Sequence, residues 1–248
     1  MKVLYEDNHL IAVFKPVGVL SQGDKTGDIS IFDEVKKYLK EKYNKPGRVF
    51  LGLLHRLDRP VSGIMLFAKT SKGASRLSEQ FRNHKIEKVY HAIVVGKPRK
   101  DKGILVNYLK KNQKKLKSKS KNITYQSDSA PWGYGSPYGS SARIDKSKLW
   151  YEIIKSNENP TSLKLRGINK VCYTLLKIKI ETGRFHQIRA QLSMAGFSIL
   201  GDVKYGGQKW NDEKSIALCA TNLSFRTATG EKIINIKIDL PKEWSDYI

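Results

Sequence analysis

An α+β fold is what this sequence predicts, and three observations predict it. Strand-like runs rich in β-branched residues alternate with segments whose apolar residues recur at helical spacing. Gly- and Pro-containing breaks separate those segments, and the chain closes in short strands. At 248 residues and 40% hydrophobic content, the chain is long enough to bury a sizeable core.

Val3 to Phe14 reads as two short strands around the turn-forming pair Asp7-Asn8. Lys15-Pro16-Val17-Gly18-Val19 breaks the pattern and leaves Lys15 on a loop, and a polar, Gly-rich stretch follows from Gln22 to Asp28. Ser30 is a natural N-cap for a helix from Ile31 to about Tyr43, with Ile31, Phe32, Val35 and Leu39 on its apolar side. Lys45-Pro46-Gly47 ends it. Val49 to Leu54 and Ile64 to Phe67 are strand candidates on either side of a charged loop. Ser71 caps a second helix that runs to about Asn83, and Val89 to Val95 is a further strand. Beyond Leu149 to Ile154 and Val171 to Ile180, both strand-like, a helix from Phe185 to Ala195 is stopped by Gly196. Segments around Ile216 to Cys219, Leu223 to Phe225 and Ile233 to Ile238 complete the chain as short strands.

Residues 110–146 differ from the rest. Seven lysines fall within the twelve residues Lys110 to Lys121, followed by Ser-, Gly- and Tyr-rich sequence without apolar periodicity. This reads as a basic surface insertion, either a solvated loop or a grip on RNA.

Lys and Arg number 46 against 23 Asp and Glu, a formal charge of +23. The first hundred residues hold 20 of the basic and 10 of the acidic side chains, so the excess is spread along the chain. Such a charge favours nucleic acid through phosphate contacts and counterion release. Cys172 and Cys219 stand far apart, which argues against a disulfide framework or a cysteine zinc site. Neither a signal-type apolar core nor a run of ~20 apolar residues is present. The expectation is a soluble, cytoplasmic, monomeric protein with no membrane partner.

Three clusters carry candidate chemistry: Lys15-Pro16, the loop His55-Arg56-Leu57-Asp58-Arg59-Pro60-Val61-Ser62-Gly63, and Thr182-Gly183-Arg184-Phe185-His186-Gln187-Ile188-Arg189. A carboxylate boxed in by arginines stays ionised and suits a nucleophile or base, and the cations around it suit a polyanionic substrate. In the third cluster a helix start with two arginines and a histidine suits an anion. An arginine-flanked aspartate alone is more often a surface salt bridge than a catalyst. Gly23-Asp24-Lys25-Thr26-Gly27 lacks the spacing of a phosphate-binding loop, so nucleotide hydrolysis is not expected.

Together these motifs resemble the RluA-type pseudouridine synthases. The Asp58 loop with Ser62-Gly63 is similar to that family's catalytic motif, and Glu87-Lys88-Val89-Tyr90-His91-Ala92 to its next. Thr182 to Arg189 is similar to the third, Lys15-Pro16-Val17-Gly18 to the early Lys-Pro motif, and Gly201-Asp202 with Tyr205-Gly206 to the late one. They fall in the family's order over about residues 3–240.

The resemblance implies a single catalytic domain over residues 1–248, with a central, largely antiparallel mixed sheet flanked by helices and no S4-like domain before it. It implies that Asp58 is the nucleophile, that Tyr90 stacks on the target base and that Arg189 pairs with Asp58. Arg56 would enter the RNA stack vacated by a flipped uridine. Lys15, His55, Arg59, Lys88, Arg184, His186 and Gln187 are the further candidates for RNA or substrate contact. The reaction breaks the N1 glycosidic bond, turns the uracil and rejoins it through C5, so neither a cofactor nor a metal is expected. Asp58 could act on C1′, on the base or on a ribose proton. Large-subunit ribosomal RNA is the expected substrate, with transfer RNA as the alternative. An inactive RNA-binding protein of the same fold is a further alternative, and a two-carboxylate hydrolase a more remote one. The family usually has Thr where Val61 stands and Leu-His-Ala where Leu218-Cys219-Ala220 stands, departures that bear on specificity.

Overall fold

The computed structural model describes residues 1–109, 125–126, 145–157, 171–210 and 215–248. The basic insertion expected at 110–146 lies almost wholly outside the described residues. The chain forms two compact units, Met1–Ala92 with Trp210–Ser245, and Ile93–Lys209 with Asp246–Ile248.

The first unit is a mixed sheet. Strands β1 (Lys2–Glu6) and β2 (Leu10–Lys15) form an antiparallel pair, closed by Asp7, whose carboxylate accepts the backbone N–H groups of His9 and Leu10 at 2.7 Å. β2 pairs antiparallel with β4 (Ser62–Ala68), which also carries the short β3 (Gly52–Leu53). β4 runs parallel to β10 (Leu218–Arg226), and β10 pairs antiparallel with both β5 (Glu87–Val95) and β11 (Ile233–Lys237). All seven residues of β4 are buried, which explains its unbroken apolar run: a strand covered on both faces has no polar alternation.

Helix α1 (Ile31–Lys42) opens with a capping box. The Ser30 hydroxyl accepts from Asp33 N, and an Asp33 carboxylate oxygen accepts from Ser30 N at 3.1 Å. Helix α2 (Ser71–Arg82) is capped by Thr70 rather than by the expected Ser71, because the Thr70 hydroxyl is the one that accepts the Gly73 N–H at 3.1 Å. Leu77 of α2 packs into a core with Leu10, Ile64, Leu66, Leu223 and Phe225. Full burial of such a side chain contributes about 1.5–3 kcal/mol.

The second unit holds the antiparallel order β9-β8-β6-β7, with β6 at Lys102–Leu109, β7 at Tyr125–Gln126, β8 at Asp145–Asn157 and β9 at Tyr173–Ile180. Helix α3 (Gln187–Met194) starts two residues later than its sequence suggests, since His186 is left-handed at φ 53°. Its buried residues Ile188 and Leu192 share the interior with Leu149, Leu176, Ile178 and Ile199. Among the described residues, no helix is long and apolar enough to cross a membrane.

Candidate active site

The aspartate loop is held from below by the chain that follows β2. Ser21, buried, donates its hydroxyl to Leu57 O and accepts from Leu57 N at 3.0 Å, so one side chain fixes the peptide just before Asp58. Val61 N bonds back to Asp58 O at 3.0 Å and closes a turn around the carboxylate. Gly18 N donates to Arg59 O at 2.9 Å.

Lys15 reinforces that contact. It stands not on the expected loop but at the buried end of β2, with 0% exposure. Its ammonium donates to Pro16 O at 2.9 Å and Val19 O at 2.7 Å, and reaches Arg59 O at 3.3 Å. Burial pulls its pKa down to about 7, against the attraction of the Asp58 carboxylate and with a contribution from Arg59. Three carbonyl acceptors therefore stand in for water around a cation beneath the loop.

Behind the loop, Ser62 and Gly63 lead directly into β4. Gly63 has φ +132°, and a Cβ at that position would drive into the backbone of Ala220 on β10. Only a residue without a side chain lets the two strands approach this closely. The register then sets Ala220 opposite both Gly63 and Tyr90. Tyr90 is buried, and its phenol is pushed well above the ordinary tyrosine value by burial first, then by Asp58 and by Cys219. Its proton is thus held firmly in the field of the carboxylate. Cys219 lies beside Ser62, with its thiol raised to about 11 by burial, and His91 Nδ1 meets Thr221 Oγ1 at 2.7 Å on the same strand pair.

The other loop candidates have different surroundings. His55 Nε2 accepts the Leu66 N–H at 2.9 Å and its ring stacks on Phe81 at 5.2 Å. Burial, with Lys88 nearby, lowers its pKa to about 3, so it is a neutral structural imidazole at physiological pH. Arg59 donates Nε to Gly18 O at 2.9 Å and Nη2 to Asp28 at 2.7 Å, tying the loop to the Gly-rich stretch. Arg56 is exposed. The Lys88 ammonium, lowered by burial, lies 5.8 Å from the Phe81 ring centroid.

In the second unit, Arg189 is buried. Its Nε and Nη2 form a fork on the two carboxylate oxygens of Asp202, each at 2.8 Å. Gln187, also buried, accepts from Thr182 Oγ1 at 2.7 Å and from Arg184 N at 3.1 Å, and donates to Lys148 O. His186 Nδ1 meets the Tyr205 hydroxyl at 2.8 Å, and its ring stacks on Phe185. Arg184 is exposed. Gln187 and Asp202 therefore build the motif from inside.

Asp58 lies within electrostatic reach of both Lys15 and Tyr90, while Arg189, which the resemblance pairs with Asp58, forks on Asp202. Ser21 and Asp28 were missed. A lone serine and an aspartate in a polar loop carry no spacing signal, and only folding reveals that they hold residues 57 and 59.

An aspartate on a clamped loop beside a buried tyrosine, on a mixed and largely antiparallel sheet, is an arrangement suited to acid–base or nucleophilic chemistry. The chain belongs to the RNA pseudouridylate synthase family, whose profile matches residues 9–194. It is accordingly an isomerase that converts uridines in RNA to pseudouridine. One relative, the "Ribosomal large subunit pseudouridine synthase C" of Rickettsia bellii, is 32% identical over 243 residues, covering 96% of this chain and 68% of the relative. The "tRNA pseudouridine synthase C" of Vibrio parahaemolyticus is 29% identical over 255 residues, covering 98% and 92%. Among solved structures, "Human RNA Pseudouridylate Synthase Domain Containing 4" matches with a TM-score of 0.70 at 20% identity, over 99% of this chain and 91% of that one, a likeness of fold.

Proposed function

We propose that this isomerase acts on uridines of large-subunit ribosomal RNA, as a cytoplasmic monomer, with Asp58 as its nucleophile and Tyr90 facing the base. The observation that carries the assignment is the convergence on Asp58: Ser21, Gly18 and Lys15 hold its loop, and its charge reaches the buried Tyr90 phenol. Fixing the carboxylate before substrate arrives lowers the cost of aligning it with the glycosidic bond. The N1–C1′ bond breaks, a C5–C1′ bond forms, and the C5 proton is lost as N1 gains one, so atoms and electrons balance without a redox partner. Arg189 takes the third place by its position in the motif order. Arg56, exposed on the loop, suits insertion into the stack that the flipped uridine leaves. Two relatives bear on the RNA: the ribosomal name belongs to a relative at 32% identity and the transfer-RNA name to one at 29%. Transfer RNA is therefore the second reading.

The test is chemical mapping of pseudouridine in large-subunit ribosomal RNA and in transfer RNA, each treated with wild type, Asp58→Ala and Asp58→Asn. Modification of ribosomal RNA by the wild type alone is expected, with RNA binding of Asp58→Asn nearly intact. Activity that survives Asp58→Ala removes the residue from the mechanism, and modification confined to transfer RNA replaces the substrate.

A further inference from the structure

Away from the aspartate loop, the first unit carries a cleft of about 280 Å³ between helix α2 and the β10–β11 hairpin. Arg76 and Lys85 line it from the side of α2, and Arg226 from the end of β10, with Glu79 as its one lining carboxylate. All four are exposed, and among the described residues none of the three cations makes an ion pair. Other exposed cations of this unit, Lys72 and Arg82 among them, likewise lack an ion pair among the described residues, so concavity is what sets these three apart. Arg59 is neutralised by Asp28, and Lys42 and Lys69 by Glu6.

The cleft is built, not merely charged. Gln80 clasps the backbone of Arg226 from both sides, donating to Arg226 O at 2.9 Å and accepting from Arg226 N at 3.0 Å. Lys85 is set at the end of α2 by its N–H to Gln80 O at 2.9 Å, so one glutamine residue orders the backbones of two of the cations. Gly230 turns the hairpin at φ +82°, and its N–H bonds to Thr227 O at 3.0 Å, which shapes the remaining wall. A concave site with three cations against one carboxylate suits a phosphate, which accepts forked hydrogen bonds from arginine.

We propose that this cleft binds backbone phosphate of the RNA substrate at a point remote from the target uridine. This rests on the reading of the protein as an enzyme of structured RNA. The register fixes the separation. Ala220 lies opposite Tyr90, and Arg226 is six residues farther along β10, a span of roughly 20 Å at ~3.3 Å per residue. An RNA that reaches both places must extend roughly 20 Å from the modified base, farther than a trinucleotide centred on the uridine can. The cleft thereby favours RNA that extends well beyond the neighbours of the uridine, without touching the chemistry.

The experiment compares wild type with Arg76→Gln/Lys85→Gln/Arg226→Gln, in which exposed side chains are shortened in charge and the Gln80 clasp is retained. Binding is measured against salt on two RNAs: large-subunit ribosomal RNA, and a uridine-centred trinucleotide too short to span ~20 Å. On the long RNA the variant is expected to bind at least about tenfold more weakly, with a salt slope shallower by roughly 2. On the trinucleotide, affinity stays at the wild-type level. Equal loss on both RNAs, or an unchanged affinity and slope on the long one, overturns the proposal. The same follows if inorganic phosphate raises the melting temperature of the wild type only while RNA affinity is unaffected, for the cleft then serves a free anion. The binding arm reads directly on RNA, so it stands apart from whether ribosomal uridines are modified.

Discussion

Replacing Gly63 by alanine tests whether the approach of β4 to β10 sets the aspartate loop. The added Cβ would meet the Ala220 carbonyl oxygen and stand 2.5 Å from its nitrogen and 2.6 Å from its Cβ. Ordinary contact begins near 3.4 Å, so the strands must part by close to 1 Å. The φ of +132° adds backbone strain of about 1–3 kcal/mol for a residue with a side chain. Overpacking contributes about 1–3 kcal/mol more. The combined loss, roughly 2–6 kcal/mol, is a large part of the ~5–15 kcal/mol that holds a domain folded. At ~2–4 °C per kcal/mol the melting temperature should fall by at least about 4 °C. Because Ala220 also sets the register of Tyr90, a ~1 Å displacement separates tyrosine from carboxylate and should cost roughly a hundredfold in turnover. Thermal melting by circular dichroism and single-turnover assays read the two effects. A variant that melts within about 1 °C of wild type and keeps its rate refutes the argument, since ~1 °C corresponds to less than 0.5 kcal/mol.

Asp202→Ala leaves the buried Arg189 without its carboxylate fork and should destabilise the second unit by about 3–5 kcal/mol, measured by urea denaturation. Ser21→Ala strips both hydrogen bonds from the Leu57 peptide, and a loss of about 1–3 kcal/mol with reduced turnover is expected in the same melts and assays. Burial pushes Glu6 up, but hydrogen bonds from Lys42, Lys69 and Tyr43 outweigh it and hold the carboxyl at about 2 instead of 4.5. Its contribution, up to about 3 kcal/mol, is therefore full above pH 4.5 and lost as pH falls towards 2. Glu6→Gln should flatten the acid limb of a stability–pH curve, and an unchanged limb contradicts the assignment. For His55, with its pKa near 3, the folded state resists protonation, so stability falls as pH drops from about 6.5 and levels off below about 3. Its ring resonances should not titrate between about pH 5 and 8 by NMR.

The strands and helices of strongest local pattern stand where the sequence put them. α1 begins after Ser30 because its capping box is local, and β4 follows the apolar run because every one of its residues is buried. β6 has too weak an alternation to be read, and its pairing with β8 is what makes it a strand. Val49 to Leu54 shrinks to the two residues of β3, since only Gly52 and Leu53 find partners on β4. The segments around Ile216 to Cys219 and Leu223 to Phe225 merge into β10, which a bulge against β5 lets run on between them. α3 starts late because His186 turns left-handed, a conformation that helical spacing does not foretell.

By itself the sequence determined the family, through motifs in order, and with it the chemical types at the site: an aspartate, a tyrosine and arginines. Residue types and short spacings are local, and reactivity depends first on them. Only the tertiary structure decided what each does to its neighbours. Lys15 reads as a loop lysine in the sequence yet is buried among three carbonyls, and only the fold shows Arg189 buried against Asp202. His55 is a candidate for RNA or substrate contact by its place in the motif, and only the fold shows its Nε2 accepting the Leu66 amide. Burial and long-range pairing set these roles, because desolvation makes a buried polar group find partners that lie tens of residues away.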